Sequence, residues 1–223
     1  MKPLVLIPAR NEAATIENVV TGCLKHVPRV IVIADGCSDA TVFHASAAGA
    51  EVWAHPGAPG KAVALRWAWE KLRNDRTWTH LVLLDGDGQH DPRDIPCLLE
   101  RAEADVLVIG SRAPFAPPMP WHRRWVNRVM SMVVGWLART PVPDSQSGFR
   151  VLPRPLVEEV SWTSTRFEIE SEMVLKARQA GCSVVSVAVG CHYAEGARPS
   201  HIAVWDDTCR WMGWVGRSLA SLG

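Results

Sequence analysis

The sequence predicts an α/β fold, a Rossmann-like mixed and mainly parallel sheet flanked by helices. Three observations carry that expectation. Short apolar runs recur at residues 3–8, 30–33, 81–84 and 106–109. Polar turn residues bound each run, and helical stretches separate them, which is the pattern of βαβ units around a sheet buried on both faces.

The elements follow in order. Residues 3–8 are apolar throughout and give the first strand. A helix is expected over 13–25, the second strand over 30–33 and the second helix over 40–48. A minor strand at 51–54 precedes a third helix over 61–72. The strands at 81–84 and 106–109 enclose a helix over 95–102. A bend rich in proline (Pro114, Pro117, Pro118, Pro120) opens the second half. It leads to a helix over 121–139, a turn at 141–144, the segment 145–150, a helix over 167–180 and a strand over 184–189. A final amphipathic stretch covers 202–222. No internal repeat is present, and residues 1–223 read as one domain with halves at 1–112 and 113–223.

Composition narrows the class. Of 223 residues 48% are apolar, which excludes a disordered tail, a collagen-like fibre and a simple coiled coil. Twenty-four Lys+Arg against twenty-three Asp+Glu leave a net charge of +1, without the basic excess of a nucleic-acid binder. Six cysteines form no C-x-x-C pair, so free thiols in a reducing cytoplasm are expected. The polar residues Arg10-Asn11-Glu12 come too early for a secretory signal. The longest apolar stretch, 129–138, includes Ser131 and falls short of a membrane span.

In parallel sheets ligands sit beyond the carboxyl ends of the strands, and three of the four strand ends carry carboxylates. The sharpest is Asp85-Gly86-Asp87-Gly88-Gln89-His90 after an apolar strand. Two carboxylates one residue apart offer hard oxygen ligands to one divalent metal. A calcium loop fits poorly, since His90 stands where such a loop needs Gly. Gly57-Ala58-Pro59-Gly60-Lys61-Ala62 lacks the first Gly and the Ser/Thr of a P-loop, and no G-x-G-x-x-G follows the first strand. Asn11 and Glu12 also suit the opening turn of a helix.

Taken in order, Leu6-Ile7-Pro8-Ala9-Arg10-Asn11-Glu12, Ala34-Asp35-Gly36-Cys37-Ser38-Asp39, Gly60-Lys61, Asp85-x-Asp87-x-Gln89-His90 and Asp144-x-x-Ser147-Gly148-Phe149 resemble family 2 glycosyltransferases of the GT-A fold. The similarity is closest to the branch that makes dolichol-phosphate or polyprenyl-phosphate sugars. The resemblance implies a nucleotide-diphosphate sugar donor, UDP- or GDP-linked, a Mg²⁺ or Mn²⁺ cofactor and transfer with inversion. The preferred acceptor is a polyprenyl phosphate at the cytoplasmic membrane face; a soluble or glycan acceptor is the alternative. A sugar nucleotidyltransferase would carry G-x-G-x-R after its first strand, and Ala9-Arg10-Asn11-Glu12 is not that.

The resemblance also distributes roles. Pro8, Ala9, Arg10 and Glu12 would line the nucleoside pocket, Asp35 would bind base or ribose, and Lys61 would lie along the nucleotide. Asp85, Asp87 and Gln89 would surround the metal, with Asp85 also on the donor. Asp87, Asp144 and Glu170 are the candidate catalytic acids. Only Ala34-Asp35 precedes Gly36 where the family usually has paired acids, which leaves uracil and guanine both open. Arg112, Arg123 and Arg124 are candidate cations for the acceptor phosphate, joined by Arg198 and His201 in the tail. Thr165-x-x-Glu168 reads as a capping box. Trp125, Val129, Met132, Val133 and Trp136 recur at helical spacing beside Arg123, Arg124, Arg128 and Arg139, giving a basic amphipathic helix suited to an anionic membrane, to the sheet or to a second copy. Trp205, Trp211, Trp214 and Val215 suggest another such stripe near the C-terminus.

Overall fold

The computed structural model describes residues 1–113, 119, 121–166, 168–192 and 211–218. Seven strands form one sheet: β1 (Pro3–Ala9), β2 (Val30–Ala34), β3 (Glu51–Ala54), β4 (His80–Leu83), β5 (Val106–Ser111), β6 (Arg150–Pro153) and β7 (Ser183–Ala188). Their order is β3-β2-β1-β4-β6-β5-β7. Pairing is parallel throughout except at β6, which runs antiparallel to both β4 and β5. The expected class, a mainly parallel mixed sheet with helices on both faces, is therefore what forms.

The apolar runs work as buried strands because their two sides feed two cores. Leu4 and Leu6 of β1 join Ile31, Ile33, Leu81 and Leu83 on one face. Val5 and Ile7 join Val30, Val32 and Val82 on the other. Helices α1 (Ile16–Leu24), α2 (Thr41–Ala47) and α4 (Ile95–Leu99) cover the second face with Ile16, Val19, Val20, Ala45, Ile95 and Leu98. The first face is covered by α3 (Lys61–Leu72), α5 (Trp121–Leu137), α6 (Arg154–Glu159) and α7 (Ile169–Gln179). Apolar area removed from water on both sides, worth about 25 cal/mol per Å², stabilises this sheet.

Four expectations are corrected. Strand β6 and helix α6 were not anticipated: Arg150-Val151-Leu152-Pro153 opens on a charge and ends on proline, so it carries no strand pattern of its own. The capping box does not form, because α7 begins only at Ile169 and the Glu168 carboxylate accepts from Arg166 N instead. The α5 stripe splits: Trp125, Met132 and Trp136 face solvent, while Val133 packs on the core. Trp211 and Trp214, in the helical residues 211–218, are buried in that core rather than presented outward. Trp205 lies outside the described residues.

Candidate active site

The carboxyl ends of β1, β2 and β4 lie side by side, and the loops that leave them are laced together. Asn11 adopts a left-handed backbone (φ 59°), which Asn tolerates better than most residues. Its Oδ1 accepts from the backbone N–H and the hydroxyl of Ser38, at 2.8 and 3.3 Å. Glu12 N donates to Thr41 Oγ1 (2.8 Å) and Ala13 N to Asp39 Oδ2 (3.2 Å). Pro8, Ala9 and Arg10 run along the same edge, with Ala9 buried and Arg10 exposed.

Asp35, at the end of β2, is buried and already holds two partners. Its Oδ1 lies 3.0 Å from His55 Nδ1, and its Oδ2 accepts from Gly60 N at 2.7 Å. The carboxylate thus ties the 55–60 loop to β2 and fixes the start of α3, where Lys61 is the first residue. Gly36 makes that closure possible. Its φ is +69°, and a Cβ there would sit 2.6 Å from Pro59 Cγ.

Lys61 spans two acids from opposite halves of the chain. Its Nζ is 2.6 Å from Asp85 Oδ1 and 2.8 Å from Glu170 Oε1. Burial alone would lower the Lys61 pKa, but the charges of Asp85 and Glu170 and the hydrogen bonds to them raise it. Burial would likewise raise Asp85, yet Lys61 holds it below the usual carboxylate range. Asp87 goes the other way: burial and the charge of Asp85 raise it, outweighing the bond from Gln89 N to Asp87 Oδ1 (3.0 Å) and the charges of Lys61 and Arg112. Lys61 thus favours the ionised form of Asp85 more strongly than that of Asp87. Thr15 Oγ1 donates to Gly86 O (2.7 Å) and pins this turn to the start of α1. His90 stacks on Phe149 at 5.3 Å, and burial together with Arg112 pushes its pKa down to about 4.

The second half closes over these acids through β6. The loop before it presses Gly148 on Asp85 so closely that a Cβ would lie 2.3 Å from Asp85 Oδ2. Asp144 is fully buried and takes a forked pair of bonds from Arg112, Nε at 2.7 Å and Nη2 at 3.0 Å, plus the Arg112 N–H at 3.1 Å. Arg150 is fully buried and binds only backbone carbonyls: Ser145 O (2.6 Å), Ser147 O (2.8 Å) and Glu170 O (2.6 Å). It thereby locks the Asp144 loop to the start of α7. Burial lowers its pKa to about 10, although Glu170, Asp144 and Asp85 oppose the drop.

Beside Arg112 and Asp144 a groove of about 1040 Å³ runs between α5 and residues 139–143. Arg124, Arg128 and Arg139 line it together with Trp121 and Trp125. Arg123 lies on the same helix and is half-buried. Of the expected site residues, the structure brings Lys61, Asp85 and Glu170 into contact, sets Asp87 and Gln89 in the adjoining turn and joins Arg112 to Asp144. Arg198 and His201 lie outside the described residues. Sequence reasoning did not single out His55, Gly148 or Arg150 for these positions; only the Gly-Phe-Arg run before β6 pointed toward the last two.

Comparison with known proteins agrees with this architecture. The model described as glycosyl transferase family 2 matches residues 4–161, more than two thirds of the chain. Glycosyltransferase AglJ of Haloferax volcanii is 30% identical over 187 residues, covering 82% of this chain and 60% of that protein. The low-salt glycan biosynthesis hexosyltransferase Agl6 of the same organism is 27% identical, covering 86% and 48%. The chain thus spans about half to three fifths of these two relatives. A UDP-N-acetylglucosamine–dolichyl-phosphate N-acetylglucosaminyltransferase of Methanococcus voltae is 26% identical over 215 residues, 86% of each chain. Among solved structures, glucosyl-3-phosphoglycerate synthase of Mycobacterium tuberculosis shares the fold with a TM-score of 0.72 at 22% identity, covering 99% of this chain and 80% of that one. The same enzyme has been crystallised with Mn²⁺, uridine diphosphate and phosphoglyceric acid (TM-score 0.73, 22% identity, covering 99% and 78%). The chain belongs to glycosyl transferase family 2.

Proposed function

We propose that this chain transfers a sugar, with inversion, from a UDP- or GDP-linked donor to an acceptor, with a polyprenyl phosphate at the cytoplasmic membrane face preferred. The observation that carries this reading is the ion cluster of Lys61, Asp85 and Glu170 beside Asp87. It stands at the carboxyl edge of the parallel strands, where open α/β sheets take nucleotides.

The acids suit a hard divalent cation. Among the described residues no three His, Cys, Asp or Glu side chains gather to hold a metal unaided. Mg²⁺ and Mn²⁺ take one or two carboxylates and complete their shell with substrate phosphate and water. Asp87, Asp85 and Gln89 would be the protein ligands. A cation bound there supplies Lewis-acid stabilisation of the departing diphosphate.

The remaining work falls to the chain itself. Lys61 stays charged at any physiological pH and would lie along the nucleotide, while Asp35 sets its place through Gly60. Asp144 and Glu170, paired with Arg112 and Lys61 before substrate arrives, would supply negative charge beside the sugar as those cations turn to phosphate, which favours an oxocarbenium-like transition state. A phosphate monoester arrives ionised, so it needs cations rather than a strong base. Arg123 and Arg124 on α5, with Arg112, Arg198 and His201, are the candidates to hold it. The name of the Methanococcus voltae relative supports a lipid-phosphate acceptor, and the Mn²⁺ and uridine diphosphate bound to the mycobacterial enzyme support the donor and metal.

The test is calorimetry of UDP and GDP with and without Mn²⁺, followed by transfer assays from the matching nucleotide sugars to a polyprenyl phosphate and to water-soluble acceptors. Mn²⁺ should tighten binding of one nucleotide by about 10-fold or more, equivalent to about 1.4 kcal/mol. If neither nucleotide binds under any metal condition, the reading fails. If a soluble acceptor is glycosylated as fast as the lipid, only the acceptor assignment falls.

A further inference from the structure

Helix α5 buries Val134 and Leu137 in the core and turns a second apolar face outward. Trp121, Trp125, Met132 and Trp136 are 74%, 65%, 61% and 70% exposed. Their spacing, together with exposed Arg128 between them, places them on one helix face. The opposite side, with Ser131, Val134 and Leu137, is the buried one. This row stands in addition to the apolar side that packs on the core, and large apolar residues in a row facing water gain nothing from burial.

The charges beside this face choose its occupant. The helix sequence WHRRWVNRVMSMVVGWL contains three arginines and no Asp or Glu, and exposed Arg139 just beyond it lines the same groove as Arg124 and Arg128. Tryptophan favours the headgroup layer, where its ring is apolar and its N–H stays wet. Arginine near an anionic leaflet is attracted within a Debye length. A second copy of this chain would bring the same cations against themselves, whereas an anionic lipid layer complements them.

We propose that the Trp121–Trp125–Met132–Trp136 face of α5 seats in the headgroup layer of an anionic bilayer, with Arg124, Arg128 and Arg139 against lipid phosphates. The groove lined by the same arginines then opens at the membrane surface, next to Arg112 and Asp144. This deepens the lipid-acceptor reading and rests on it for its purpose, but vesicle binding is measured without donor or acceptor. Its failure is therefore separable from failure of the transfer reading.

The experiment is co-sedimentation of the full chain with neutral phosphatidylcholine vesicles and with vesicles carrying anionic phosphatidylglycerol, at low and high salt. Each is repeated with the Trp121→Ser/Trp125→Ser/Trp136→Ser variant and with Arg124→Glu/Arg128→Glu. The substituted tryptophans are exposed, so the thermal midpoint of the first variant should stay unchanged. Anionic vesicles should bind wild type at least about 10-fold better than neutral ones, salt should weaken binding, and each variant should lose at least about 10-fold. Wild type left in the supernatant under every condition overturns the proposal. So does binding that the tryptophan variant retains, and so does a dimer abolished by that variant without any vesicle binding.

Discussion

The two halves of the chain treat their polar and apolar groups in opposite ways. In residues 1–112 the strand-end loops satisfy one another: Asn11 with Ser38, Asp39 with Thr41 and Ala13, Asp35 with His55 and Gly60. Beyond residue 112, α5 leaves a row of tryptophans in solvent above a cationic groove. The first half is built like a site preorganised for one ligand, with donors and acceptors fixed before it arrives. The second is built like a surface awaiting contact. Where they meet, Lys61 bridges Asp85 and Glu170 and Gly148 packs on Asp85, so changes at that seam should disturb both halves.

The largest expected effect is at Asp87. Asp87→Asn should cut turnover by on the order of 10²–10³-fold, the scale of losing one charge-stabilising group, and abolish the Mn²⁺ dependence of nucleotide binding. The metal-free fold should not suffer. Burial and Asp85 raise the Asp87 pKa in the folded chain, so its ionised form costs stability once pH exceeds that raised value, and asparagine removes the cost. Turnover, calorimetry and thermal midpoint at neutral pH check this together. A folded variant with full turnover would break the assignment of this turn.

Next comes the seam itself. Gly148→Ala places a methyl 2.3 Å from Asp85 Oδ2, so either Asp85 leaves Lys61 or the loop before β6 retreats. Overpacking of this kind costs about 1–3 kcal/mol, and a displacement of about 1 Å at reacting groups costs about 100-fold in rate. The expected outcome is a lowered thermal midpoint and turnover reduced about 10- to 100-fold. Loss of stability without loss of turnover would mean the halves need not register at Asp85.

How much of this was legible beforehand follows from sequence distance. The strand ends carrying Asp35, Asp85 and Asp87 were readable because an apolar run and the residues after it are adjacent in the chain. Strand β6 was not, because it earns its place only by lying between β4 and β5, as in the pairing of Leu83 with Arg150. The same holds for His55, which lies twenty residues from its partner Asp35. In α5 the periodicity gave the stripe but not its direction, since spacing alone does not say which side a sheet will cover. The buried Trp211, bonded to Ser171 Oγ at 3.0 Å, and the exposed Trp136 look alike in one dimension.

A subtler change separates the two acids that share Lys61. Glu170 competes with any incoming diphosphate for the Lys61 ammonium, being 2.8 Å from it. Glu170→Gln removes that competitor while keeping the shape of the side chain. Nucleotide binding should therefore tighten, by about 2- to 10-fold on the scale of a partly solvated charge contact, even as turnover falls through loss of charge on the sugar side. Calorimetry with UDP and GDP reads the first effect and a transfer assay the second. Weaker binding in the variant would place Glu170 on the donor side of the seam.

The smallest effect belongs at the opposite end of the first half, where a polar clamp ties the beginnings of the strands. Asp75 pairs with Arg29, which also bonds Glu51 at 2.9 Å, and accepts from Thr77 N (2.8 Å) and Thr77 Oγ1 (2.6 Å). Burial alone would raise its pKa, but Thr77 and Arg29 bring it down to about 2. A depressed carboxylate pKa contributes stability that is present above its unfolded value, about 3.9, and is lost as pH falls through about 2. Allowing for solvent screening at a partly exposed pair, Asp75→Asn should cost about 1 kcal/mol at pH 7 and close to nothing near pH 2. Thermal or urea unfolding of wild type and variant across that range measures it. Donor affinity and turnover should stay the same, because this clamp ties strand beginnings rather than the carboxyl edge. A change in nucleotide binding would mean that the two ends of the sheet are coupled, and the contrast between a preorganised first half and a contact-seeking second would then have to include the far edge as well.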